Sequence, residues 1–419
     1  MNTDLTDLTV LIFLLVYLAM ALGTLPGLRV DRTGAAIVGA LAMMTIGSIS
    51  PRAAWDSIDY ASLGMLFGLM LVSAAFVVSG FYGLTAQKVA SAQVSPPVLL
   101  AILISVAGVM AAFLTNDVVA VAMTPLLISI VLARGLNPIP FLLGFCFAAN
   151  AGAAGTIIGS PQNMIAAQQL NLSFAGLSEI TAAPALISLV VIWAVICVLY
   201  RRRWRLSTQV NQVTHPSAPA ASQAPPFSMG ETIKAFLVAI AVVLAFIFSD
   251  WPRDLIALTA AGSLLLSRKV SSRDMLKEVD GDLLLLIMGL FVVNAALSNT
   301  GLPQVLLTRL ADTGIDLNKP WTLFLVSSVV SNIVGNNPAV IMLVPYLHAE
   351  GNANDLGAAL SLGTHFSSNL VVFGSLAGII VVEKAREYGL KISLAEFSTA
   401  GAIVTALTMA VGIAWLLAF

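Results

Sequence analysis

The residues of this chain that could do chemistry lie where it is most apolar. In "FLTNDVVAVAMTP" (113–125) a Thr115-Asn116-Asp117 triplet interrupts a hydrophobic run. A carboxylate near the centre of a bilayer costs about 2.5–3.5 kcal/mol on insertion scales, so it argues for a task. The task open to a carboxyl there is proton exchange, which makes Asp117 the proton-coupling candidate. An asparagine amide carries both donors and acceptors and tolerates helix-end dihedrals, so Asn116 can hold a polar solute. Half a chain later "IVGNNPAVIMLVP" (333–345) repeats the pattern. Asn116 and Asn336 each stand nine residues before a proline, Pro125 and Pro345. In that register Asp117 faces Asn337, and Thr115 faces Gly335. Asn337 cannot titrate, so only the first half carries the proton site.

A second pair of polar interruptions follows, "ANAGAAGTIIGSPQNMIAA" (149–167) and "LGTHFSSNLVVFGSLAGII" (362–380). Gly159-Ser160 is set against Gly374-Ser375. Both stretches read as glycine-rich helix breaks whose polar side chains, Asn163 among them, line a cavity. Pro161 lacks a backbone donor, which suits a turn or a helix start. His365, Ser367, Ser368 and Asn369 form an uncharged polar cluster. His365 could relay protons beside Asp117, although a hydrogen-bonded packing role accounts for it as well.

The elements that must position these residues are set by composition. The 419 residues are 58% hydrophobic and 10% charged, with a mean hydropathy of +0.95. Soluble domains carry about a quarter charged residues, so this is an integral, multi-pass membrane protein. A net charge of −1 argues against nucleic acid as a partner. Cys146 and Cys197 lie in apolar segments and read as buried free thiols. No metal-ligand spacing, cofactor motif or nucleophile–base set stands out, so no metal, no cofactor and no enzymatic activity are expected. The N-terminus lacks a basic start and a cleavage site and reads as a first helix that stays.

A spanning helix needs about 20 apolar residues. Such runs fall near 8–28, 34–49, 60–80, 98–114, 118–133, 140–155 and 180–200. A second series falls near 231–249, 254–267, 283–299, 321–334, 339–347, 357–380 and 396–418. Several are too short to cross alone, which leaves about ten to eleven crossings plus broken or re-entrant pieces. The expected division is a first membrane repeat at 1–205, a flexible linker at 206–229 and a second repeat at 230–419. Arg201, Arg202, Arg203 and Arg205 immediately precede the linker and place it in the cytoplasm, and it contains the solvated His215.

"IDYASLGMLFGLMLVSAAFVVSGF" (58–81) overlays "VDGDLLLLIMGLFVVNAALSNTGL" (279–302) without gaps. That alignment pairs Asp59 with Asp280, Gly68 with Gly289 and Gly80 with Gly301. Two membrane halves with interrupted segments in matching places point to a secondary transporter whose site lies between the interruptions. Gly64 and Gly68 fit a G-x-x-x-G pattern, which alone does not establish the homodimer that remains open.

With these motifs in place, the chain resembles the ion transporter superfamily of ArsB-type arsenite permeases, NhaD-type antiporters and divalent anion–sodium symporters. The likeness is closest to the ArsB branch and the anion permeases near it. Asn116-Asp117 with the later Thr124-Pro125, Asn336-Asn337-Pro338 and "FGSLAGII" (373–380) resemble ArsB motifs. "GSPQN" (159–163) looks more like the neighbouring anion permeases. The resemblance implies an all-α fold of two inverted repeats with broken helices and re-entrant hairpins, a scaffold and a mobile transport part, and elevator-like alternating access. It also implies residence in the inner membrane of a prokaryote.

The expected function is proton-coupled efflux of arsenite or antimonite, driven directly or beside an ATPase partner. Thr115, Asn116, Asn336, Asn337, Gly159, Ser160, Asn163, Gly374 and Ser375 would contact the solute, and Asp117, with His365 second, would handle the proton. The alternatives are a sodium-coupled symporter of dicarboxylates or other oxyanions and a channel-like anion pore. The symporters carry Ser-Asn-Thr where this chain has Thr-Asn-Asp, and a carboxylate there repels a dianion.

Overall fold

A backbone in hydrocarbon has no water to bond and must satisfy its polar groups internally, which favours helix. The computed structural model describes residues 3–24, 27–205, 225–348 and 352–418. Among these residues there are twenty α-helices and no sheet. The first ten are α1 (Thr3–Leu22), α2 (Arg32–Thr45), α3 (Pro51–Asp56), α4 (Tyr60–Val78), α5 (Phe81–Ser91), α6 (Pro96–Phe113), α7 (Asn116–Ala133), α8 (Pro138–Ala153), α9 (Pro161–Gln169) and α10 (Phe174–Tyr200). The second ten follow the same order: α11 (Met229–Phe248), α12 (Arg253–Leu265), α13 (Ser272–Lys277), α14 (Gly281–Ser298), α15 (Leu302–Asp312), α16 (Pro320–Val334), α17 (Asn336–Leu343), α18 (Ala353–Ser367), α19 (Leu376–Glu387) and α20 (Leu394–Ala418). The linker expected at 206–229 falls mostly on 206–224, which with His215 lie outside the described residues.

The two tens are built by the same local devices. Ser50 and Ser271 cap α3 and α13, each accepting from the N–H three residues on. Asp59 and Asp280 do the same for α4 and α14, and Ser160 and Ser375 for α9 and α19. Such caps satisfy donors that a helix start leaves orphaned. Gly80 and Gly301 open α5 and α15 in the left-handed region, at φ 75° and 74°.

The halves exchange partners: α2 packs on α14 of the second half, and α12 packs on α4 of the first. A Cβ added at Gly68 would lie 2.5 Å from the Ala257 carbonyl carbon, and one at Gly289 would lie 2.8 Å from that of Ala36. The Gly64/Gly68 face is therefore occupied within the chain. Around the breaks, α6 packs on α8 and α10, and α16 packs on α18 and α20.

Among the described residues eight helices are long and apolar enough to cross a membrane: α1, α4, α6, α7, α10, α11, α14 and α20. Three shorter apolar helices, α2, α8 and α16, accompany them, so the expected ten to eleven crossings require these as well. The single element expected at 357–380 is in fact α18 and α19, divided by a 3-10 turn at Val372–Gly374. The runs expected to reach 28 and 49 end at Leu22 and Thr45, before Gly23 (φ 83°) and Gly47 (φ 81°). Helices α3, α5, α9, α13 and α15 fall outside every expected span, since 6 to 11 residues carry too little apolar signal. Cys146 and Cys197 are free thiols, but only Cys146 is buried as expected; Cys197 on α10 is partly exposed.

The α6/α7 break turns on Thr115, at φ 55° and ψ 127°, a region that glycine alone occupies comfortably. Its counterpart between α16 and α17 is Gly335, at φ 93° and ψ 161°. Thr115 is held there because its hydroxyl donates to Leu114 O at 2.7 Å and lies 3.3 Å from the Ser73 hydroxyl. Two opposite outcomes follow for purified protein melted in detergent. Gly335→Ala should lower stability by about 1–3 kcal/mol, whereas Thr115→Gly, which relieves the strain, should leave the melting temperature unchanged or higher.

Candidate substrate site

Both breaks open onto one cavity of about 250 Å³. Asn116 and Asp117 enter it from the first turn of α7, and Asn336 and Asn337 from the first turn of α17. Gly374 and Ser375 come from the turn before α19, and Gln162 comes from the first turn of α9. The wall is completed at the starts of α2 and α14 by Arg32, Thr33, Asp280 and Asp282. Four broken-helix N-termini thus face one space, and their partial positive ends favour negative or strongly polar groups there.

The lining is rich in acceptors. Asn116 Oδ1 and Asn337 Oδ1 are buried and have no hydrogen-bond partner in the protein. Asp117, Asp280 and Asp282 contribute carboxyl groups against one guanidinium, that of Arg32. Three ion pairs form among the described residues, and none involves a cavity residue. Asp280 is engaged as the α14 cap, accepting from Leu283 N at 2.9 Å. Arg32 donates from Nε to Met20 O at 3.0 Å, which anchors it to the end of α1. Arg253, in the equivalent place at the start of α12, instead donates to Ala167 O at 3.1 Å and to Leu172 O, clasping the end of α9.

The structure divides the residues expected at the site into two groups. Asn116, Asp117, Asn336, Asn337, Gly374 and Ser375 line the cavity. Thr115, Gly159, Ser160, Asn163 and His365 lie behind it. Gly159 takes the Asn116 N–H on its carbonyl at 2.9 Å, tying the first break to the second. It must be glycine, because a Cβ would lie 2.2 Å from Ala153 O. Ser160 is the α9 cap, and Asn163 gives both amide hydrogens to Ala153 O (3.0 Å) and Thr156 O (2.8 Å). These residues shape the break rather than face the solute.

Several residues escaped the sequence reading. Arg32, Thr33 and Asp282 line the cavity without belonging to a repeated motif, although Arg32 in an apolar setting was a visible signal, and Gln162 lines it from within the "GSPQN" stretch, where only its neighbours were singled out. Asp280 was noted only as the repeat partner of Asp59. Asn150 on α8 is fully buried and joins the halves. It accepts from Asn116 Nδ2 at 3.4 Å and donates to Asn369 Oδ1 and Ser375 Oγ, each at 3.0 Å. On the other side Asn336 donates to Ser368 Oγ at 3.0 Å.

Broken helices that meet across a repeat around a polar cavity define a membrane transporter. The sequence profile of the citrate transporter family matches residues 12–363. This chain belongs to that family. It is 28% identical over 413 residues to an uncharacterized transporter of Mycobacterium tuberculosis, covering 93% of this chain and 94% of that one. A silicon efflux transporter of Oryza sativa subsp. japonica is 32% identical over 151 residues, 36% of this chain and 31% of the relative. The crystal structure of the YdaH transporter of Alcanivorax borkumensis shares the fold, with a TM-score of 0.54, 14% identity, and coverage of 99% of this chain and 97% of that one.

Replacing Asn150 with leucine strips partners from Asn116, Asn369 and Ser375 together. Asn150→Leu should lower stability by about 1–3 kcal/mol, since a buried polar group left unsatisfied costs about that much. Denaturant unfolding of the purified protein checks this, and an unchanged midpoint would remove Asn150 from the role of brace.

Proposed function

We propose that this transporter exports a small neutral polyhydroxide, arsenite or antimonite in the trihydroxide form, in exchange for protons. The observation that carries the reading is the pair of unpartnered buried acceptors, Asn116 Oδ1 and Asn337 Oδ1, beside the unpaired Asp117. Unpaired buried acceptors in a polar site select a solute that brings hydrogen-bond donors, because each acceptor left bare is a lost interaction. A neutral trihydroxide brings three O–H groups and no charge to be repelled by Asp117, Asp280 and Asp282. Asp117 is the one carboxyl within the four breaks, so it exchanges the proton, while Asn116, Asn336 and Asn337 contact the solute. Alternating access moves the breaks as a unit in an elevator-like manner, in the inner membrane of a prokaryote and with the 206–229 linker on the cytoplasmic side. That a relative is named for silicon efflux supports the direction and the solute chemistry, since silicic acid is also a neutral hydroxide.

A second reading has one observation in its favour. Arg32 lines the cavity together with four helix N-termini, which suits a carboxylate, and the family is named for citrate. Import of a dicarboxylate or other oxyanion with sodium is therefore the alternative.

Everted vesicles from cells lacking their own arsenite pump distinguish the two. The expected result is arsenite accumulation driven by an imposed proton gradient, with no sodium-driven citrate uptake in right-side-out vesicles. Asp117→Asn should reduce proton-driven accumulation by about tenfold or more, as removal of an essential proton carrier does. Full proton coupling in Asp117→Asn would falsify its role.

A further inference from the structure

His365 and Gln162, read separately in the sequence, form a pair across the two halves. His365 lies on α18 with no exposed surface, and its two ring nitrogens have different partners. Nδ1 sits 2.7 Å from the backbone carbonyl of Ser361, one turn earlier. A carbonyl only accepts, so the hydrogen is on Nδ1. Nε2 lies 3.0 Å from Nε2 of Gln162, which belongs to the other half of the chain. A neutral ring protonated at Nδ1 is an acceptor at Nε2 and takes a hydrogen from the Gln162 amide. Ser361 spends its own hydroxyl on Ala154 O at 2.9 Å, and among the described residues no carboxylate pairs with the histidine. With its NH₂ turned to His365, Gln162 turns its Oε1 the other way, and Gln162 lines the cavity.

The same arrangement recurs across the repeat. Asn150 stands on α8 where His365 stands on α18, each nine residues before the glycine that precedes α9 or α19. Each reaches into the opposite half and holds a polar residue at the start of a break helix. Asn150 holds Ser375, the α19 cap, and His365 holds Gln162 in the first turn of α9.

We infer that Gln162 is a specificity-determining residue that presents a hydrogen-bond acceptor to the solute, and that His365 is the positioning residue that turns it that way. The inference rests on the reading of the cavity as a site for a neutral polyhydroxide. Gln162 Oε1 joins Asn116 Oδ1 and Asn337 Oδ1, so three amide carbonyls and the Asp117 carboxyl converge on one space. A solute with three hydroxyls has one for each amide carbonyl, and one whose oxygens are all bare meets none.

Two measurements test this on the full chain. The protein has three histidines, so replacing His215 and His348 with glutamine leaves His365 as its one imidazole. The ¹⁵N ring spectrum in lipid nanodiscs should show Nδ1 protonated and Nε2 bare but hydrogen-bonded. Gln162→Met should shift the Nε2 resonance and leave Nδ1 in place. A ring protonated at Nε2 overturns the proposed orientation.

In everted vesicles with arsenite as the probe, Gln162→Met should raise KM about tenfold, the loss of one good hydrogen bond, with little change in Vmax. His365→Phe should raise KM less, and the double variant should match Gln162→Met alone, because His365 acts through Gln162. Additive effects, or an unchanged KM in Gln162→Met, overturn the inference while wild-type transport leaves the functional reading standing. If wild-type vesicles accumulate no arsenite, the functional reading falls, and the ring spectrum alone decides which face Gln162 turns to the cavity.

Discussion

An unwound backbone inside a membrane has no water to bond, so each break in this chain must find its partners within the protein. That requirement explains why the breaks are gathered together. The Asn116 N–H has no place in the helix ladder and goes to the Gly159 carbonyl, so the first break of a half is stitched to the second. Asn150 then joins both to the other half through Asn369 and Ser375. A polar pocket follows from this stitching, because the side chains that satisfy one another on one side leave acceptors bare on the other.

The repeat supplies the frame, and the departures from it supply chemistry. Caps, left-handed glycines and close helix contacts agree between the halves because both must solve the same backbone problem. Three of the differences between the halves bear on the cavity or its surroundings. Thr115 stands where the other half has Gly335, which stores strain in one break only. Asp117 stands against Asn337, so only one of the two breaks carries a carboxyl. Arg253 clasps the end of α9, whereas Arg32 faces the cavity, so the two ends of the site are held differently.

Electrostatics sharpens the choice of solute. Helix N-termini alone would recommend an anion. Three carboxyl groups in the same wall offset that preference, and the buried Asn116 carbonyl oxygen has nothing to accept from within the protein. A neutral solute that carries its own donors satisfies both conditions, since it brings hydrogens to the acceptors and no charge to repel.

The membrane class, the repeat and the two Asn breaks were legible in the sequence, because hydropathy and a polar triplet in an apolar run are local signals. Asn116, Asp117, Asn336 and Asn337 were found in this way, and so were Gly374 and Ser375. The sequence could not separate residues that face the cavity from residues that brace it. Gly159-Ser160 has the same composition as Gly374-Ser375, yet Gly159 accepts the Asn116 N–H and lies behind the cavity, and the neighbouring Asn163 spends both amide hydrogens on the chain's own carbonyls. Gln162, Asn150 and Arg32 gain their meaning from partners up to two hundred residues or more away in sequence, as in the 225-residue separation of Asn150 and Ser375. Sequence determined which residues could not remain in lipid unaided. Only the tertiary structure decided which of them satisfy each other and which are left to meet a solute, because hydrogen bonding is a matter of distance and direction that periodicity does not encode.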